Sequence, residues 1–221
     1  MKSKVKQAII DRLRATKREN IESVIDYMEN NGFFTYHCYH HHHYKGGLAD
    51  HAWQTYQIAM RLDAERCATN PNAQKLDEDG LAICALLHDI CDCSGLRNIR
   101  GHGGRSAKML KELGLKLPLQ EFLAIRFHMS LGRHRDHFLY DDALKSQLRY
   151  VVHKADNTSA KLCKGCEDIC EKQDDLQQYS WDSNADIVCQ TPEGWYLNLL
   201  PMQCQGQNPQ EYKCEIVATK E

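Results

Sequence analysis

A chain of 221 residues is long enough for one substantial domain with its own core and a small appendage. Hydrophobic residues make up 42% and charged residues 26%, and the formal net charge is -2, so nothing global draws the chain toward nucleic acid or an anionic membrane. The first residues carry no signal-peptide pattern, and the longest clear apolar run, Leu81 to Leu87, is far too short to span a bilayer; the chain reads as cytoplasmic, with its 11 cysteines as reduced thiols rather than a disulfide framework.

Most of the chain carries helical periodicity. Residues 2–30 place Val5, Ile9 and Leu13, then Ile21, Val24, Ile25 and Met28, on an apolar face; the basic residues opposite read as a solvated face, and Asn30-Asn31-Gly32 ends the segment. Residues 33–46 form a loop packed with aromatics and histidines. Gly46-Gly47 then opens a helix through Leu48, His51, Ala52, Thr55, Tyr56, Ala59 and Met60, which Asn70-Pro71-Asn72 breaks. A third helix covers 75–91. A loop from Gly95 to Gly104 leads into a helix ending near Leu113, and Pro118 starts another that runs to about Met129. A charged loop, Leu131 to Tyr140, precedes a last long helix from about Asp141 to Gln173. In the final segment, Thr191-Pro-Glu-Gly194 reads as a turn between two short strands, Ile187-Val188-Cys189 and Trp195 to Leu200. The expectation is an all-α helical bundle over residues 1–173 with a small C-terminal extension, 174–221, built on a β-hairpin.

Periodicity also places chemistry. His51 shares a helix face with Leu48, Ala52 and Thr55. His88 follows Leu81 and Cys84 at helical spacing, His128 follows Ala124 and Ile125, and Asp156 follows Leu148 and Val152. Four helices thus each aim a histidine or aspartate at one interior, which is how helical bundles build metal sites. Asp89, next to His88, would be costly to bury without a partner and is satisfied by a divalent metal. His102 lies in Gly101-His-Gly-Gly104, where glycine lets backbones approach closely. Any one of these is more often a satisfied core residue; the ordered set points to metal.

The order His51, His88-Asp89, Asp156 resembles the HD-domain superfamily of metal-dependent phosphohydrolases. His41-His-His-Tyr-Lys-Gly-Gly-Leu-Ala-Asp-His51 is similar to the opening of one bacterial and phage-associated branch. Ala85 to Cys91, Gly101 to Ser106, Leu123 to Met129 and His153 to Ala160 are similar to further segments of it, so the resemblance covers residues 36–162. It implies an all-α domain holding one or two divalent transition ions. By motif position, His51, His88, Asp89 and Asp156 would bind one ion, Asp89 would bridge, and His102 and His128 would bind the second. Imidazole and carboxylate donors suit iron, manganese, nickel or zinc better than magnesium or calcium, and the resemblance favours iron or manganese.

The implied reaction is attack of a metal-activated water on the phosphorus of a small phosphate ester, a nucleotide by expectation, with Asp89 in the catalytic centre. Arg105 and Lys154, inside matched motifs, rank first among candidate phosphate-binding cations, and His41, His42, Tyr44 and Lys45 join them as candidate substrate contacts. Asp92 departs from the branch, where lysine is common at this position after the HD pair. An acid here either protonates a leaving oxygen or holds a water, or is simply a helix-end residue. Cys163, Cys166 and Cys170 read as free thiols one turn apart rather than a zinc knuckle, which needs a fourth ligand. Three other readings stand beside the leading one: a phosphodiesterase acting on cyclic nucleotides or RNA ends, a non-catalytic nucleotide or metal sensor, and a di-iron oxygenase.

Overall fold

A computed structural model describes residues 2–38, 41–94, 101–129 and 137–164 and three strand segments between 188 and 215. Eight helices form the bundle: α1 (Lys2–Ala15), α2 (Ile21–Asn30), α3 (Gly47–Thr69), α4 (Glu78–Leu87), α5 (His102–Glu112), α6 (Leu119–Arg126), α7 (Tyr140–Lys145) and α8 (Gln147–Lys164). A 3-10 turn, Ile90–Ser94, follows α4. The fold is all-α as the sequence predicts.

The centre of the bundle is α4, whose residues from Gly80 to Leu87 are all buried. A helix apolar all round is stable only when surrounded, and α4 packs against α1, α3, α6 and α8. Its start is set by Asp77, whose side chain accepts from the Gly80 backbone N–H at 2.7 Å. Arg12 of α1 clamps the same end, donating to Asp79 Oδ1 through both terminal nitrogens at 2.9 Å. Arg18 reaches the buried Glu121 at the start of α6, with Nη1 to Oε2 at 2.9 Å. α3 and α8 lie side by side over α4, and α6 packs on α5 and α8.

Two glycines matter because backbones must touch. A Cβ on Gly47 would collide with the His42 carbonyl, so the 41–46 strap folds flat onto the start of α3. A Cβ on Gly103 would sit 2.6 Å from the carbonyl oxygens of Ile125 and Arg126, so only glycine lets the first turn of α5 seat on the end of α6.

Boundaries differ from the sequence reading in four places. The segment 2–30 is two helices: the Thr16 hydroxyl donates to the Leu13 carbonyl at 2.6 Å, and Lys17 and Asn20 take left-handed backbone (φ 51° and 63°). The helix expected over 75–91 ends at Leu87, and His88 and Asp89 lie in the turn beyond it. α5 begins at His102, inside the expected glycine loop. The helix expected from Asp141 breaks at Ser146, whose buried hydroxyl accepts from the Arg149 N–H at 3.2 Å and caps a fresh helix. Residues 165–173 and most of the extension lie outside the described residues. Within the extension, β1 (Val188–Thr191) pairs antiparallel with β2 (Gly194–Tyr196), the expected hairpin, and with β3 (Lys213–Glu215), which the sequence reading did not anticipate. In that second pairing Cys189 lies opposite Cys214.

Candidate metal centre

Six side chains from five parts of the bundle converge. His51 comes from the second turn of α3, His88 and Asp89 from the turn after α4, His102 from the first residue of α5, His128 from the turn after α6, and Asp156 from the middle of α8. All six are buried. Asp89 stands between two groups of donors. Its Oδ2 lies 3.4 Å from His88 Nε2 and 3.9 Å from His51 Nε2. Its Oδ1 lies 3.2 Å from His102 Nε2 and 3.4 Å from His128 Nε2. Asp156 Oδ1 completes the first group, 3.3 Å from His51 Nε2 and 3.8 Å from His88 Nε2.

The imidazoles have their tautomers fixed from behind. His88 Nδ1 donates to the Ala85 carbonyl at 2.9 Å and His128 Nδ1 to the Ile125 carbonyl at 2.8 Å. The Ser159 hydroxyl donates to Gln54 Oε1, so it accepts from His51 Nδ1 at 3.0 Å. Each of these three rings therefore turns an Nε2 lone pair inward. His51 and His88 Nε2 are 3.1 Å apart, and His102 and His128 Nε2 are 2.7 Å apart. Lone pairs facing each other at such distances repel unless a proton or a cation lies between them. Metal–ligand bonds of about 2.1 Å put neighbouring donors about 3.0 Å apart in an octahedron and about 3.4 Å apart in a tetrahedron. In the first group three spacings, 3.1, 3.3 and 3.4 Å, match those edges, and two, 3.8 and 3.9 Å, are wider.

Asp89 Oδ1 adds a sharper test of fit. It is buried, and among the described residues no donor addresses it with hydrogen-bond geometry despite two imidazole nitrogens within 3.4 Å. A buried carboxylate oxygen in that position is satisfied by a cation. The electrostatics agree. Burial opposes ionisation of Asp89, but the imidazoles of His88 and His102 hold its carboxyl well below the usual range. Asp156 is likewise held low against its burial by the imidazoles of His51, His88 and His128 around it. Burial pushes His88 down to about 4, so it is neutral at physiological pH. Ionised carboxylates and neutral imidazoles are the protonation states that bind metal.

Around this core the other predicted residues divide. Asp92 lies in the 3-10 turn three residues after Asp89, and burial together with the Asp89 charge raises its carboxyl to about 6. Arg105, one turn along α5 from His102, is near enough for its charge to act on Asp92. His41 packs its ring 4.5 Å from that of His51, and burial and the His51 ring push it down to about 3. His42 is buried behind His51, held well below the usual histidine range by burial, and its backbone N–H points at Cys163 Sγ, 2.9 Å away. Neither ring carries a positive charge near neutral pH. Tyr44 packs 6.0 Å from the His42 ring. Lys45 and Lys154 are exposed. Cys166 and Cys170 lie outside the described residues.

Several supporting residues escape sequence reasoning. Ser159 and Gln54 set the His51 tautomer. Arg149, buried on α8, donates from Nε to the Phe127 carbonyl at 2.9 Å and from Nη2 to the Met129 carbonyl at 3.0 Å, bracketing His128. His153 bonds the His128 carbonyl itself. The available signal is spacing: 149, 153, 156 and 159 recur at three or four residues, one face of α8. Cys38, which the sequence reading passes over, joins His41 and His51 as a further group whose donor atoms lie within 4.8 Å of one another.

This fold and donor set define a helical domain whose clustered side chains could hold a metal ion. The chain belongs to the HD-domain family: the HD domain model matches residues 48–161, just over half of the chain. The match runs from the start of α3 to the last turns of α8 and contains all six converging side chains. The family is one of metal-dependent phosphohydrolases, and its domains bind divalent metals. No curated protein and no solved structure matches the chain significantly. Among the described residues no helix is long and apolar enough to cross a membrane.

Proposed function

We propose that the chain is a metal-dependent phosphohydrolase that cleaves a phosphate ester of a nucleotide or similar small molecule. His51, His88, Asp89 and Asp156 hold one divalent transition ion, and Asp89, His102 and His128 hold a second. Iron or manganese is the expected occupant, with zinc and nickel as the alternatives the donors also suit. Divalent ions supply a nucleophile from water near neutral pH and a Lewis acid for the phosphoryl oxygens. The observation that carries the reading is Asp89, whose two carboxylate oxygens each face a different pair of imidazole nitrogens within 3.9 Å.

The chain's own residues then do the rest. The two carboxylates stay ionised and His88 stays neutral, so these donors need no rearrangement to charge the site. Asp92, raised to about 6, is poised to pass a proton to a leaving oxygen and take it back from water. Arg105 meets phosphate charge at the same edge, and Lys45 and Lys154 attract it from solvent. The buried His42 and the half-buried His41 keep bulk water from the far side of His51.

The test is elemental analysis of untagged protein, followed by phosphate release from mono- and diesters of nucleotides with and without oxygen. Two ions per chain, falling to one in His102→Ala or His128→Ala, and oxygen-independent release support the reading. No ion after incubation with manganese or iron removes it and favours a sensor. Preference for diesters moves the assignment to phosphodiesterase, and oxygen-dependent turnover moves it to an oxygenase.

A further inference from the structure

The Cys38–His41–His51 group is not explained by the two ion positions proposed above, and it extends the donor row at its far end. Cys38 is 2% exposed and sits in the strap that folds onto α3. Among the described residues its thiol has one weak hydrogen bond, to the Gly47 carbonyl at 3.9 Å. The packing of Gly47 against the His42 carbonyl fixes the strap, and so fixes Cys38 and His41 relative to His51.

His51 decides what the group can be. Its Nδ1 is taken by Ser159, so the nitrogen it offers is Nε2, the same atom that faces His88 and Asp156. The group is therefore no separate site. A cation reached by Cys38 and His41 through His51 is the cation of the first donor group. His41 Nδ1 is paired with His42 Nδ1 at 3.0 Å, which leaves Nε2 as its free donor.

We propose that Cys38 is a thiolate ligand, with His41 beside it, to the ion held by His51, His88, Asp89 and Asp156. The inference rests on reading that cluster as a metal centre. Binding exchanges the thiol proton for the cation: the S–H bond breaks, the sulfur keeps the electron pair and donates it to the ion, and the proton leaves to solvent. A coordinated thiol gives up its proton outright, so the bound cation itself makes the thiolate. A sulfur donor makes the two positions chemically unequal. The first selects borderline-soft ions such as zinc, cobalt or ferrous iron, and the second, with nitrogen and oxygen donors alone, accepts harder ions such as manganese.

Cobalt(II) titration of the metal-free full-length chain reads this directly, because thiolate ligation gives an intense near-ultraviolet charge-transfer band and imidazole or carboxylate ligation does not. The expected result is a band that grows with the first equivalent and is unchanged by the second. In Cys38→Ser, with the fold checked by circular dichroism, the band disappears while two equivalents still bind. The variant's preference for zinc over manganese at the tighter position falls on the order of tenfold or more. Two equivalents bound by the wild type with no such band, or a band that survives in Cys38→Ser, overturns the proposal and leaves the metal centre standing. No cobalt bound overturns both.

Discussion

The first donor group takes His51 and Asp156 from the interiors of long helices, α3 and α8, whereas the second takes His102 from a helix start and His128 from a turn. Side chains inside helices inherit a rigid frame, and their only local need is a tautomer lock such as Ser159. A histidine in a turn needs its backbone held as well. Arg149 supplies that hold, spending a buried guanidinium on the carbonyls of Phe127 and Met129, with no carboxylate among its hydrogen-bond partners. On the proposed two-ion reading, the first group would bind its ion more tightly and the second would depend on supports outside the donor set.

Replacing the one residue the groups share erases the distinction. Asp89→Asn keeps size and packing but removes the charge that both groups use, and hydrolysis should fall by more than about 10³-fold. Both ions should weaken together in a metal titration. Arg149→Met should separate the groups instead. It strips the buried Phe127 carbonyl of its donor, at about 1–3 kcal/mol, and the exposed Met129 carbonyl of a second, and should weaken the second ion on the order of 10- to 100-fold while sparing the first. Arg149→Lys should recover only part, because an ammonium cannot span both carbonyls as a planar fork does. Calorimetric titration that finds both ions equally weakened would remove the clamp from the account.

Ser159→Ala is the mirror experiment, with a smaller effect. It frees the His51 ring to rotate and should weaken the first ion about tenfold with no effect on the second. A subtler contrast lies in acid. In metal-free protein His88 and His41 are held to about 4 and about 3, below the unfolded value near 6.5, so the unfolded chain binds protons first. Their contribution to stability is whole above about pH 6.5 and is lost as pH falls toward 4 and 3. Chemical denaturation at a series of pH values should show that decline, and loaded protein should resist it until the ion is released. A metal-free protein equally stable at pH 7 and pH 5 would contradict the burial of these rings.

Much of this was legible beforehand because apolar periodicity fixes which way a helical residue faces. That argument found α3, α4 and α8 and aimed His51, Asp156 and, within a residue or two, His88 inward. It failed where local hydrogen bonds override periodicity: at Thr16, at Ser146, and beyond Leu87, where His88 bonds back to Ala85 instead of continuing the helix. Gly101-His-Gly-Gly reads as a loop from composition, yet Gly103 is present for a close helix contact. Cys38 was passed over because a single cysteine in a histidine-rich loop has no spacing signal. Its relation to His51 exists only once the strap is folded over Gly47. Arg149 was invisible for the opposite reason, since a lone arginine on an amphipathic helix reads as solvated.

The spacing of supports along α8 has a further consequence. Arg149 and His153 fix the turn that bears His128, Asp156 belongs to the first donor group, and Ser159 sets the ring of His51, so one rigid rod about 15 Å long gauges both groups. A slide or twist of that rod cannot retune one position alone. On the proposed two-ion reading, an ion seated against Asp156 would steady α8, and with it the turn where the next ion would dock, so the two sites would fill cooperatively through a helix as well as through their shared carboxylate.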